Sequence, residues 1–506
     1  MTVVRPYLAL LAATLIAAPL AGQSAEFDAY VARGVKDWHV PGLAVAVVQG
    51  DSVVFQKAYG VRDVTTNAPF DIHTRSAIGS TTKAMTVVAL GMLVDEGKVR
   101  WDDRVIDHLP DFRLYDAYVT RDLRIRDLLT HRSGLGGEGD LLWANPDMPE
   151  AEIVRRMRFL KAESPLRTRF SYNNIMYQVA GDVIEQASGM SWERFLTERI
   201  FGPLGMRETI ATVAASVGQP NVATPHELVH DTLRTIAEVS TDQVKAAGSV
   251  YSSIADMTHW VQFLLDSGRV GGRRLISDSV FREIFTPQIM ADRKLYPALT
   301  LSQPHFFTYG LGFFLQDYAG YKLEMHTGSI DGMCALIALV PEKRLGFYVL
   351  ENVDHAELRH ALMYKTVDTW VGTGNRDWSS ELHALLAKSH EKKPTGPAPK
   401  PASAPASLPL DQYAGTYRDS TFGAVVVSKR ADTLHLQYFS STATMEHTDH
   451  DVFKLTHGTR RYMNDEVATF LPDGTGGVAA VHVFNVTFGR APLTGTDVVG
   501  RMHESH

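Results

Sequence analysis

The 506-residue chain is poor in several things, and each shortage excludes a class of protein. It has one cysteine, Cys334, so no intramolecular disulfide can staple it. It has no dense Lys/Arg block, and 57 acidic residues against 50 basic ones leave a formal net charge of -7, which argues against a nucleic-acid partner. Past residue 25 no apolar run is long enough to cross a bilayer. No Gly-x-Ser-x-Gly occurs on a strand-to-helix turn, which argues against α/β-hydrolase chemistry, and no solenoid repeat is present. What remains, 45% hydrophobic and 21% charged, is the composition of a soluble globular protein with ample core, at a length that suggests two or three units.

The first 25 residues read as a signal peptide. Arg5 supplies the positive end, Leu8 to Leu20 is apolar but short for a span, and small residues follow in Ala21-Gly22-Gln23-Ser24-Ala25. An uncleaved anchor helix is the alternative, and a lipoprotein anchor is excluded because no cysteine lies there. The mature protein is therefore expected to be periplasmic or secreted, without a membrane span.

Residues 26–388 form the expected main domain. Leu43 to Val48 reads as a strand, Gln49 to Ser52 as a turn, and Val53 to Phe55 as the return strand. From Gly79-Ser80 to Gly97 the chain is apolar nearly all round, which predicts a buried helix stopped by Gly97. Helical and polar stretches fill the middle, including an amphipathic one from Tyr177 to Ala187. Strand signals return at Gly312–Gln316, Leu323–His326, Cys334–Val340 and Leu345–Leu350. Strands at both ends and helices between them predict an α+β domain, an antiparallel sheet formed by both chain ends with flanking helices. Residues 389–409 hold six prolines and read as an extended linker. Residues 410–506, with strand signals at Ala424–Ser428 and Leu434–Phe439 and a turn at Pro472-Asp473-Gly474, read as a small all-β module.

Three motifs carry chemistry. In Ser80-Thr81-Thr82-Lys83, positions three apart share a helix face, so the lysine amine can reach the serine hydroxyl and help remove its proton. Ser80 would also serve as a helix cap, but a cation in the first turn opposes the helix dipole. That dipole and burial favour the neutral amine a base requires. In Tyr172-Asn173-Asn174 the phenol can relay protons and an amide can orient lysine and substrate; a surface turn is the plain alternative. In His326-Thr327-Gly328-Ser329 the glycine lets substrate lie close to a strand edge. The Ser329 amide can join that of Ser80 as an oxyanion hole.

The order Ser-x-x-Lys, Tyr-x-Asn, His-Thr-Gly resembles the serine β-lactamase and penicillin-binding-protein superfamily. Within it the chain looks closest to the class C-like branch of D-aminopeptidases, esterases and DD-carboxypeptidases. The resemblance runs over residues 27–375 and includes Leu128-Leu129-Thr130-His131-Arg132-Ser133-Gly134-Leu135, Phe201 to Met206 and Ala246 to Ser253. It implies a helical subdomain and an acyl-enzyme on Ser80, with Lys83 and Tyr172 as the proton-transfer pair. Which of the two takes the serine proton stays open. Asn174 is implied as a positioning residue and His326 as a substrate-side polar group, beside Thr327, Gly328 and Ser329. Many relatives carry Lys-Thr-Gly in the third motif; histidine there weighs against β-lactamase activity. A substrate carboxylate would meet an imidazole titrating at about 6.5 rather than a fixed cation. The Ser-Asp-Asn motif of class A enzymes is absent. After the linker, Tyr413 to Tyr417, Phe422-Gly423 and Met445-Glu446-His447 resemble a small lipocalin-like domain appended to such hydrolases.

The expected substrate is a small molecule or peptide, through an ester, amide, D-amino-acid peptide or lactam bond. No cofactor and no metal are expected, and oligomers are left open. Two rival readings remain. His226-Glu227-Leu228-Val229-His230 matches the zinc-peptidase His-Glu-x-x-His, although no convincing third ligand follows, Glu238 and Asp242 being merely acidic neighbours. The other is a penicillin-sensor-like or scaffolding protein that keeps the fold without turnover.

Overall fold

The computed structural model describes residues 22–145, 148–229, 232–354, 357–392 and 404–492. The leader expected over residues 1–25 lies, as far as residue 21, outside the described residues, and so does most of the proline-rich linker. The chain divides into two compact units.

The first unit opens with helix α1 (residues 22–37), followed by β1 (Gly42–Gln49), β2 (Ser52–Asp63) and β3 (Ala68–Pro69). Its interior helices include α2 (Thr82–Asp95), α3 (Asn174–Ser188) and α4 (Ile254–Leu265). Six strands then return: β4 (Ile289–Met290), β5 (Phe307–Tyr309), β6 (Phe314–Tyr318), β7 (Tyr321–Ile330), β8 (Met333–Val340) and β9 (Leu345–Glu351). Helices α5 (Leu358–Val371) and α6 (Trp378–Lys392) follow. The nine strands form one sheet in the order β4-β5-β6-β7-β8-β9-β1-β2-β3, antiparallel at every described pairing. The chain's two ends meet at β9 and β1, with Val349 opposite Val45. This is the α+β architecture expected from strands at both ends.

A strand covered on both faces reads as an unbroken apolar run, and that is how β1 and β8 read. Leu43, Val45 and Val47 face the side shared with Phe27 of α1, Leu362 of α5 and Trp378 of α6, all buried in one core. On the opposite face, Tyr348 of β9 bonds its hydroxyl to Thr81 Oγ1 at 2.7 Å. There Gly346 leaves room for Val261 of α4; a Cβ at position 346 would come within 2.3 Å of it. Helix α2 is buried from Thr82 to Leu93. It ends at Gly97 in the left-handed region (φ 70°), where Gly97 N and Lys98 N donate back to Val94 O and Leu93 O. Helix α6 runs on to Lys392, past the point where the linker was expected to begin.

The second unit holds a closed antiparallel barrel: β10 (Gly415–Asp419), β11 (Gly423–Arg430), β12 (Thr433–Tyr438), β13 (Ser441–Asp449), β14 (Val452–Thr456), β15 (Val467–Pro472), β16 (Val478–Val483) and β17 (Val486–Arg490). Closure joins β10 to β17 through Tyr417 opposite Arg490. Alternate residues point inward, and Tyr417, Leu436, Tyr438, Phe453, Phe470 and Phe488 fill the centre. Residues 113–116 and 137–161 group with this unit as well. A hydrogen bond holds the second of these segments: Arg156 Nη1 donates to Thr421 O at 2.9 Å.

Candidate active site

Ser80 sits in a single helical turn, Gly79–Thr81, immediately before α2. Gly79 has φ 50°, and a Cβ there would lie 2.8 Å from Ser329 N. Gly328 is equally constrained: its Cβ would come within 1.9 Å of Ile78 O. Only glycine at these two positions lets the edge of β7 lie against the backbone that carries Ser80. The amides of Ser80 and Ser329 therefore belong to facing backbones.

One turn into the helix, Lys83 is wholly buried. Its Nζ lies 3.0 Å from Ser80 Oγ, 2.7 Å from Asn174 Oδ1 and 3.0 Å from Ala247 O. Three acceptors match the three donors of an ammonium, and loss of one proton leaves a lone pair within reach of the serine hydroxyl. Asn174 is presented by the start of α3. Asn173 caps that helix, accepting from Met176 N at 3.0 Å and donating Nδ2 to Gly136 O at 2.7 Å. The two asparagines thus divide the work, one capping the helix and the next reaching Lys83. The ring of Tyr172, half-buried, lies beside the same amine, its centroid 4.8 Å from Lys83 Nζ; the Tyr177 ring is at 5.3 Å.

The third motif is less open to substrate than the sequence suggests. His326 is buried, and both ring nitrogens are engaged inside the protein: Nδ1 lies 2.6 Å from Thr327 O and Nε2 3.0 Å from the Tyr309 hydroxyl. A carbonyl can only accept, so Nδ1 carries the proton and Nε2 accepts from Tyr309. Burial, reinforced by the Lys83 charge, brings its pKa down to about 3. The expected titration near 6.5 is thereby displaced, and the imidazole stays neutral. Thr327 Oγ1 pairs with the Tyr296 hydroxyl at 2.9 Å. Arg359, at the start of α5 and only 3% exposed, donates Nη1 to Gly328 O and to Ser329 Oγ, both at 2.7 Å. The Ser329 hydroxyl is thus tied to the guanidinium, and its backbone amide is the group set against the Ser80 turn.

Sequence reasoning missed Tyr309, Tyr296 and Arg359, and treated His131 and Ala247 only as parts of longer recognisable stretches. Ala247 supplies Lys83 with a carbonyl, and His131 stacks on Tyr172 with centroids 4.2 Å apart. The Leu128–Leu135 and Ala246–Ser253 segments therefore correspond to physical contacts with the site.

The His-Glu-x-x-His stretch has different geometry from that of a zinc site. His226–Val229 is a strand, paired in a hairpin that sets His226 opposite Thr235. His226 Nε2 accepts from Val64 N at 3.2 Å and Nδ1 lies 2.9 Å from Asn352 O. Both imidazole nitrogens are thus taken up by backbone. His230 lies outside the described residues. Among the described residues no group of three or more His, Cys, Asp or Glu side chains is placed to hold a metal ion.

A nine-stranded antiparallel sheet with a Ser-x-x-Lys helix set against β7 defines the β-lactamase and penicillin-binding-protein superfamily of serine hydrolases. The chain belongs to the Beta-lactamase family, whose model matches residues 27–367. Residues 399–497 match a second model, described only as a domain of unknown function (DUF3471). The chain is similar to the unguisins hydrolase ungD of Aspergillus violaceofuscus, 31% identical over 85% of this chain and 82% of that one. It is 28% identical to penicillin-binding protein 4 of Amycolatopsis lactamdurans over 62% of this chain and 81% of that protein. Among solved structures, the octameric penicillin-binding protein homologue from Pyrococcus abyssi superposes with a TM-score of 0.61 at 21% identity, covering 92% of this chain and 98% of that one.

Proposed function

We propose that this chain hydrolyses its substrate through an acyl-enzyme on Ser80, with Lys83 and Tyr172 as the proton-transfer pair. The observation that carries this reading is the 3.0 Å approach of Lys83 Nζ to Ser80 Oγ inside a buried network shared with Asn174. In this mechanism the Lys83–Tyr172 pair takes the Ser80 proton as Oγ attacks the substrate carbonyl. The amides of Ser80 and Ser329 stabilise the oxyanion, and the pair returns the proton to the leaving group. Water activated by the same pair then releases the acyl group.

The bond cleaved is an ester, an amide or a D-amino-acid peptide bond, in preference to a lactam whose carboxylate seeks a cation. His326 is neutral and turned to Tyr309, so it offers no positive charge where many relatives carry lysine. Similarity to a hydrolase that spans both units supports turnover over a purely binding role. Arg5 and the Leu8–Leu20 run support export. Among the described residues no helix is long and apolar enough to cross a membrane.

The test is to treat the protein with a fluorophosphonate and locate the adduct by mass spectrometry. Turnover is then measured across esters, amides, D-peptides and lactams. An adduct on Ser80 and loss of turnover in Ser80→Ala are expected. Full activity in that variant refutes the proposal.

A further inference from the structure

His131 occupies an unusual position beside this site. Its backbone lies in the left-handed region at φ 53°, which non-glycine residues adopt rarely. The carbonyl oxygen accepts from Ser171 N at 2.8 Å, and ring Nδ1 accepts from Asn173 N at 3.0 Å. One residue thereby holds the backbone on both sides of Tyr172. The imidazole also stacks on the Tyr172 ring, 4.2 Å between centroids and 29° between planes. The next residue is anchored as well. Arg132 Nε and Arg167 Nη2 bind the wholly buried Asp127 carboxylate at 2.6 and 2.7 Å, and Arg167 N donates to Arg132 O.

Because Nδ1 is an acceptor, the ring proton is on Nε2. That N–H is buried and has no hydrogen-bond partner among the described residues. Its surroundings are the rings of Tyr177, Tyr309 and Phe170, at 5.3, 5.0 and 5.4 Å between centroids. A buried donor without an acceptor is a cost that packing alone gives no reason to keep. A phenylalanine would stack as well but would orphan the Asn173 amide, and an asparagine would take that amide but lose the stack. Imidazole does both.

We propose that His131 is a positioning residue for Tyr172, clamping the backbone around it and holding its ring in place beside the Lys83 amine while keeping water out. The proposal rests on the reading that Ser80 is acylated and that Tyr172 belongs to the proton-transfer pair. The titratable groups facing Lys83 and His131 are Tyr172, Tyr177, Tyr309 and His326. His131 itself is held neutral by burial and by the Lys83 charge, so it contributes shape and a hydrogen-bond acceptor rather than charge.

The experiment compares His131→Asn and His131→Phe with wild type, each alone and combined with Tyr172→Phe. Ester turnover and the pH profile of Ser80 acylation are measured on the full chain. A misplaced reacting group costs on the order of 10²-fold in rate, so His131→Asn is expected to lower kcat by about 10–100-fold with KM changed less than about 3-fold. Water admitted beside Lys83 stabilises its charged form, so the acid limb of the profile should move to higher pH. His131→Phe keeps the ring and should keep the limb, with a smaller loss of kcat; it also carries the test if His131→Asn fails to fold. In the Tyr172→Phe background the His131→Asn effect should largely vanish, because coupled residues are not additive. An unchanged kcat and profile in folded His131→Asn, or the same loss with and without Tyr172, overturns the proposal. Wild-type activity in Tyr172→Phe instead overturns the role of the tyrosine, and a wild-type protein without a Ser80 adduct overturns the acyl-enzyme reading.

Discussion

Glu351 ends β9 with both carboxylate oxygens buried and no hydrogen-bond partner for either among the described residues. Burial pushes its pKa up to about 8 from an ordinary 4.5, against the pull of Arg359 and with the push of Glu357. The folded protein therefore keeps a proton that the unfolded chain releases above about pH 4.5. Stability must fall as pH rises from the unfolded value to the folded one, and below 4.5 nothing is lost because both states are protonated. At about 1.4 kcal/mol per pH unit, the interval sets a ceiling of about 5 kcal/mol. Glu351→Gln keeps the shape and removes the titration. The difference in Tm between variant and wild type should grow steadily from pH 5 to pH 8, reaching on the order of 5–10 °C for a unit of this size. Tryptophan fluorescence reports it, since six of the seven tryptophans lie in the first unit. A Tm difference that stays constant across this range would refute the claim of a buried, uncompensated acid.

Lys83→Met removes the donor shared by Ser80 and Asn174, and the rate of fluorophosphonate labelling at Ser80 should fall by about 10²–10⁴-fold; a loss below tenfold contradicts its role. Because His326 titrates at about 3, the ratio of kcat/KM for a carboxylate-bearing ester to that for its neutral analogue should stay flat from pH 5 to 8, whereas His326→Lys should raise it by about tenfold. A wild-type inflection near pH 6.5 would count against the buried imidazole. Truncation after Lys392 deprives Arg156 of Thr421 O. Trypsin should then cut faster at Arg155, Arg156, Arg158 and Lys161, while Ser80 still labels because Ser80, Asn174 and Ala247, which Lys83 Nζ contacts, lie in the first unit. Unchanged cleavage would mean that the barrel does not hold that segment.

The parts legible from the chain alone are those in which local geometry does the work. Ser80 and Lys83 are three positions apart on a helix, and helical rise alone brings the amine to the hydroxyl. The β1 and β8 runs are apolar because both faces of those strands are covered, and Gly97 stops α2 because it accepts a positive φ. The opening Leu43-to-Phe55 hairpin and the late strands set the fold class before any tertiary contact is known.

Long-range contacts settled the rest. His131 reaches Tyr172 across 41 positions and Arg359 reaches Gly328 across 31, and no spacing rule applies at such separations. His226 and Glu227 fit a zinc helix in sequence, but hairpin pairing with Thr235 and Arg234 puts them on a strand, where neighbouring side chains point to opposite faces. The neutrality of His326 follows from burial, which is a property of the assembled core, and so does the protonated state of Glu351. Even the grouping of residues 137–161 with the barrel unit is tertiary, since Arg156 bonds to Thr421 O in a turn 265 positions away. The sequence by itself determined the elements, their order and the Ser80–Lys83 pair, because these depend on neighbours along the chain. The tertiary structure alone decided which groups are dry, neutral and pressed against that pair, because desolvation and close approach exist only once distant segments have packed.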